Sequence, residues 1–340
     1  MGLSKFISFH LVGKHIKPLL HRPFSKTTKK PPWKVLFFGA DDFSLFSLKK
    51  LNEEYRKKAL LSRLEVVTTV KGKANAVKLY ADKENLQLHK WPPCIGFGEF
   101  DVGIVVSFGH LIPKAIIDQF PLGMLNVHAS ILPRWRGAAP IIYALANGDT
   151  ETGVTIMTIS PEKFDIGKIV LQESVPIHPE MTQSKLFATL GKLGAAQLIK
   201  TLADLSSNLN NAKPQPTEGI TYAPKVKPTF ASIKWDQMTA EQIYNLGRAL
   251  EGIFPIQTTW KGMPVKLIGI KKGDYLNSDK SIKPGYVGYD KEKNALKVLC
   301  SDFRFIVVEK VGVVGKKLMS SQDFNNGYVK KEPPDCRYFT

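Results

Sequence analysis

The sequence predicts an α/β fold in which helices flank a parallel-rich sheet, followed by a smaller β-barrel domain. From residue 34 onward, short apolar strands alternate with amphipathic helices, the βαβα order of a mostly parallel sheet. The run VGIVVSFG (102–109) is apolar almost throughout, as expected of a strand covered on both faces. Beyond a proline-rich break, several short strands are separated by Gly, Asn and Asp turns, the pattern of a small barrel.

The elements follow in order. KVLFFGA (34–40) reads as a buried strand, after which Asp41 or Asp42 caps a helix carrying Phe43, Phe46 and Leu51. LEVVTTV (64–70) is a second strand, and 74–84 a helix. The strand at 102–109 leads to a helix begun by Pro113, then to MLNVHAS (124–130), a strand with its exit loop. VTIMTI (154–159) and KIVLQESVPI (168–177) form a more antiparallel extension, followed by a long helix at 182–206. Residues 207–230, with four prolines, read as a linker. The second domain, 231–340, holds a helix (239–251) and strands near 257–270, 285–289, 295–300 and 304–310.

At 340 residues the chain has material for two domains. Three scattered cysteines, Cys94, Cys300 and Cys336, lack the spacing of a disulfide framework or a zinc site. No metal is expected, and no apolar run is long enough to span a bilayer. Gly39 closes its strand without a GxGxxG motif and is followed by two acids. Anionic side chains there would repel a pyrophosphate, which argues against a dinucleotide.

The net charge of +18 is unevenly spread. Residues 1–34 hold eight Lys/Arg and no acid, with Leu3, Phe6, Ile7 and Leu11 at helical spacing. Such an acid-free amphipathic leader reads as a mitochondrial transit peptide over residues 1–33, against the plainer reading of a basic tail. Residues 227–340 hold 19 basic and 12 acidic residues, a surplus suited to phosphate-rich partners.

Chemistry concentrates in NVHASILPRWRGAAP (126–140). Asn126 and His128 are two apart at the end of a strand, so both side chains face one crevice. Open α/β sheets bind ligands at that end. An amide beside an imidazole suits a developing oxyanion, although the pair alone equally fits a core histidine satisfied by backbone groups. Pro133, Arg134, Trp135, Arg136 and Gly137 are either a surface turn with Arg stacked on Trp or a substrate entrance that meets phosphate. Asp165, in PEKFDIG, is an ordinary turn aspartate unless it lies near the imidazole.

LNVHASILPRWRGAAPI followed by GVTIMTISPEKFDIG resembles the signature of the methionyl-tRNA formyltransferase family. FFGADDFSL, SFGHLIPK (107–114) and GKKLMSSQDF (315–324) extend the resemblance over residues 34–330. It implies a Rossmann-like formyltransferase domain at 34–206 and a tRNA-binding barrel at 231–340 that resembles the oligonucleotide-binding fold. The formyl donor it implies is 10-formyltetrahydrofolate and the acceptor is initiator methionyl-tRNA. A monomer in the mitochondrial matrix is expected. Asn126, His128 and Asp165 match the family's catalytic trio: Asn126 and His128 as donors to the formyl oxygen, Asp165 orienting His128 and helping the proton to leave the amine. The folate would lie between Ser107, Phe108, Gly109, His110 and Leu111 on one side and Phe164 to Gly167 on the other. Arg134, Trp135, Arg136 and Gly137 would border the substrate entrance.

Two departures stand out. Position 166 is Ile where bacterial members commonly have Thr. The long basic loop that bacterial relatives carry after the second strand is shortened here to 71–78, where Lys71 and Lys73 could retain a tRNA contact. The basic second domain, with Lys271 and Lys272, becomes the better candidate for gripping tRNA. Rival readings are a folate-dependent formyltransferase for a small amine and an inactive mitochondrial RNA-binding protein. The intact trio speaks against the second.

Overall fold

The computed structural model describes residues 29–69, 72–276 and 281–340. The leader through residue 28 and Lys71 lie outside them. The first domain runs β1 (Trp33–Gly39), α1 (Asp42–Lys57), β2 (Leu61–Val67), α2 (Ala76–Lys83), β3 (Leu88–His89), β4 (Val102–Val106) and α3 (Lys114–Ile117). It continues with β5 (Met124–His128), α4 (Pro140–Ala146), β6 (Glu151–Thr158), β7 (Ile169–Pro176), α5 (Gln183–Ala203) and α6 (Leu205–Asn210).

The sheet order is β3-β2-β1-β4-β5-β6-β7. The first five strands are parallel, and β6 and β7 are antiparallel, so the parallel-rich sheet with its antiparallel extension is borne out. Every residue of β4 is buried, since helices and loops cover both faces. Asp41 caps α1 in a box with Ser44, satisfying backbone donors that the first turn leaves free. After β1 the chain builds outward to β2 and β3, then returns to place β4 on the other side of β1. The loops leaving β1 and β4 therefore diverge, which opens a crevice at their carboxyl ends.

β1 opens at Trp33, whose indole N–H donates to Leu202 O at 2.7 Å. Ser206 Oγ donates to Lys29 O at 2.8 Å, so the chain already lies against the first domain at Lys29. The stretch read as a linker is largely pinned to that domain. α6 occupies its start, Lys213 pairs with Ile169, and Tyr222 pairs in parallel with Arg136.

The second domain holds α7 (Ala240–Leu250), β8 (Ile256–Trp260), β9 (Met263–Tyr275), β10 (Val287–Asp290), β11 (Ala295–Leu299), β12 (Arg304–Val313), β13 (Met319–Ser320) and α8 (Ser321–Gly327). Its antiparallel sheet runs β10-β11-β12-β9-β8, with β13 on β12. Residues 337–340 close it. Arg337 O accepts from Val287 N at 2.7 Å on the β10 side, and Thr340 N donates to Thr259 O at 3.0 Å on the β8 side. Both edges are thereby covered, around a core of Trp260, Ile306, Val308, Phe324 and Phe339.

The two domains are docked. α7 packs on α4, and Ile142 and Ala146 touch both cores. Arg248 donates to Met181 O at 3.0 Å, and burial pushes its guanidinium below the usual value. Among the described residues no helix is long and apolar enough to cross a membrane.

Candidate functional site

A cavity of about 530 Å³ occupies the crevice at the ends of β1, β4 and β5. Asp41 and Phe43 line it from the β1 side, and Ser107 to Ile112 line it from the loop after β4. Asn126, His128, Gly137 to Ile142, Phe164 and Asp165 also line it. The cavity brings Ser107, Phe108, Gly109, His110, Leu111, Gly137 and Phe164 together with Asn126, His128 and Asp165. Ser107 (φ 47°), Trp135 (φ 61°) and Asp165 (φ 56°) adopt left-handed backbone in the loops around it. Strained non-glycine residues of this kind persist only where the surroundings over-determine them.

β5 carries Asn126 and His128 on one face, and the β6–β7 turn brings Asp165 to them. Asn126 Nδ2 donates to Asp165 Oδ1 at 3.3 Å, and Gly137 N donates to Asp165 Oδ2 at 2.8 Å. His128 is buried, with Nε2 2.9 Å from Trp135 O. A carbonyl only accepts, so Nε2 carries the hydrogen. That leaves Nδ1 to face Asp165 Oδ1 at 3.6 Å, too long for a direct hydrogen bond. The Trp135 carbonyl, rather than Asp165, makes the hydrogen bond that orients the imidazole.

The RWRG loop behaves differently from the entrance expected of it. Arg134 donates to Asp149 through Nε at 2.8 Å and Nη2 at 2.6 Å, and its guanidinium stacks on Trp135 at 4.3 Å. Trp135 Nε1 donates to the same carboxylate at 2.7 Å. Burial alone would raise the Asp149 carboxyl, but hydrogen bonds from Arg134, Trp135 and Asn147 outweigh it and hold the group below its ordinary value. Arg136 is bound by Gln215 through Nε at 3.0 Å and Nη2 at 2.6 Å. The Arg134, Trp135 and Arg136 side chains brace the loop, and only Gly137 and the residues after it reach the cavity.

Gly167 stands behind the cavity wall, where a Cβ would lie 1.7 Å from Thr158 O. The β6–β7 turn can pack this closely only because the side chain is absent. Gly167→Ala is expected to cost about 1–3 kcal/mol through overpacking and to displace the turn that carries Asp165. Denaturant unfolding beside the activity assay measures both. A wild-type midpoint would show that the turn has slack.

Sequence reasoning did not single out Lys163, Gln183, Phe187 or Ile141, which also line the cavity. It also left out Gln215, which sits between Pro214 and Pro216 and read as linker. Of the expected tRNA lysines, Lys73 is exposed. Lys271 faces Glu309 at 2.7 Å and Lys272 faces Glu241 at 2.9 Å, so each charge is partly offset by an exposed carboxylate. Exposed Lys266 and Lys310 lie on paired strands, opposite Gly312 and Ile268, with exposed Lys316 and Lys317 in the turn beyond. Among the described residues none of these four is in an ion pair, and they form the more available basic face.

The family model described as formyl transferase matches residues 95–202, and the formyl transferase C-terminal domain matches 225–329. The chain is 42% identical to the methionyl-tRNA formyltransferase, mitochondrial, of Mus musculus, over 93% of this chain and 86% of that protein. It is 39% identical to the methionyl-tRNA formyltransferase of Roseobacter denitrificans, over 67% of this chain and 70% of that protein. Among solved structures, an N-formyltransferase from Helicobacter canadensis, in complex with folinic acid and dTDP-3-aminofucose, has the same fold. Its TM-score is 0.61 at 17% identity, over 81% of this chain and 98% of that one. With both domains matched and the full-length resemblance at this identity, the chain belongs to the methionyl-tRNA formyltransferase family.

Proposed function

We propose that this protein moves the formyl group of 10-formyltetrahydrofolate onto the α-amine of initiator methionyl-tRNA, working as a monomer in the mitochondrial matrix. The observation that carries the reading is the convergence of Asn126, His128 and Asp165 at the wall of one largely apolar cavity. The donor supplies an activated formyl carbon. The Asn126 amide retains one N–H beyond its bond to Asp165, and His128 offers a second donor at Nδ1 when its ring carries both protons. Both are suited to hold the carbonyl oxygen as it gains charge. The Asp165 carboxylate, fixed by Gly137 N at 2.8 Å, accepts the proton that the attacking amine releases and passes it to the folate nitrogen as the bond from that nitrogen to the formyl carbon breaks. The apolar walls exclude water that would otherwise compete for the formyl group.

The experiment combines purified protein, charged initiator methionyl-tRNA and 10-formyltetrahydrofolate, and assays formylmethionine. Faster transfer to a nucleotide-linked aminosugar than to methionyl-tRNA would overturn the assignment of the acceptor. Import and shortening of a reporter fused to residues 1–40 tests the matrix address, and sedimentation tests the monomer.

The face bearing Lys266, Lys310, Lys316 and Lys317 is assigned to the tRNA backbone. Lys266→Glu with Lys310→Glu is expected to raise KM for tRNA far more than it lowers kcat, because phosphate contacts contribute uniform binding. The salt dependence of binding should flatten, its log–log slope falling by about 0.9 for each phosphate no longer neutralised. Lys271→Glu with Lys272→Glu should do less, since those charges already face Glu309 and Glu241. Unchanged affinity and slope in the Lys266/Lys310 pair would move the RNA site elsewhere.

A further inference from the structure

Asp165 has a left-handed backbone, φ 56°, which a non-glycine residue keeps only when its neighbours hold it. Asn126 and Gly137 hold its side chain. Its main chain is held from a distant part of the sequence. Gln215 Nε2 donates to Asp165 O at 2.8 Å and to Gly167 O at 2.9 Å. Gln215 Oε1 accepts from Arg136 Nε at 3.0 Å and from Nη2 at 2.6 Å. The amide can lie only one way round, because a guanidinium only donates and the two carbonyls only accept. All four bonds of a half-buried side chain are thus used, on the segment that joins the two domains. The same segment is laced to the cavity loop. Arg136 N donates to Thr221 O at 2.9 Å, Ala223 N donates to Arg136 O at 2.7 Å, and Ala139 N donates to Ala223 O at 3.0 Å. Gln215 itself is not among the side chains that line the cavity.

We propose that Gln215 is a positioning residue for Asp165, anchored by Arg136 and clamping both carbonyls of the turn that presents the carboxylate. This rests on the catalytic reading of Asp165 given above. It gives Arg136 a scaffolding role in place of a substrate contact. It also means that a change at the joint between the domains reaches the carboxylate without touching substrate.

Gln215→Glu tests it. The carboxylate has nearly the same shape and keeps the Arg136 pair, but it cannot donate to either carbonyl. The expected result is a fall in kcat of about tenfold or more, as a small misplacement of a reacting group produces. KM for folate and for tRNA should stay within about twofold, since no binding group is removed. In an Asp165→Asn background the same change should alter kcat by less than about twofold, because both substitutions act through one carboxylate. An equal loss in both backgrounds, a loss confined to KM, or a near-normal kcat overturns the proposal. So does a variant unfolded at assay temperature, since the amide would then be a folding element. Asp165→Asn alone at full rate would instead overturn the reading of Asp165, so the two failures are told apart.

Discussion

Asp165→Asn is expected to lower formyl transfer by about 10²-fold or more, the usual cost of removing a positioned acid–base group. In the folded protein Oδ2 accepts from Gly137 N at 2.8 Å and Oδ1 from the Asn126 amide at 3.3 Å. An asparagine can accept from Gly137 N through its oxygen, but its NH2 then faces the Asn126 amide, which must turn over to accept. The proton acceptor is lost and the Asn126 N–H is re-aimed. His128→Ala should cost activity on the same scale. It also leaves the buried Trp135 carbonyl without its 2.9 Å partner, an unsatisfied group worth about 1–3 kcal/mol. Rates for that variant therefore belong well below its unfolding temperature, with circular dichroism recorded alongside. Near-normal kcat for Asp165→Asn with a native spectrum would remove the carboxylate from the mechanism.

Asn126→Ala should fall further, by about 10²–10³ in kcat, as loss of an oxyanion donor does. The charge on the formyl oxygen develops only as the carbonyl becomes tetrahedral and is absent from the bound ground state, so folate binding and KM should barely move. Single-turnover transfer, compared with equilibrium folate binding, separates the two. A variant that loses affinity at unchanged single-turnover rate would make Asn126 a binding residue. In that case only the Nδ1–H of a doubly protonated His128 would be left to meet the oxygen. Asn126 is half-buried in β5 and its carbonyl neighbours are paired within the sheet, so stability should change little.

How much of this was legible beforehand follows from how local each signal is. β1 and β4 announce themselves as continuous apolar runs, because a strand buried on both faces has no polar alternation to disguise it. A capping aspartate after β1, Asp41 or Asp42 from the sequence and Asp41 in the structure, marks α1, and the 124–130 strand delivers Asn126 and His128 to one face. β3 and β13, two residues each, carry no period and exist only as pairings with β2 and β12. α4 begins at Pro140, inside a loop whose small residues gave no helical pattern of their own, and is completed by packing against α7.

The sequence by itself determined the order of the longer strands and helices, the parallel-rich sheet and the basic second domain. Each of these depends on side-chain type and spacing within one segment. Tertiary structure alone decided which partners the polar groups found. Arg134 and Trp135 turned to Asp149, Lys271 and Lys272 to Glu309 and Glu241, and Arg136 to Gln215. It also decided that the Trp135 carbonyl, not Asp165, orients His128. A guanidinium or an imidazole will satisfy itself with any acceptor that the fold brings within about 3 Å, and that choice is made by segments far apart in the chain.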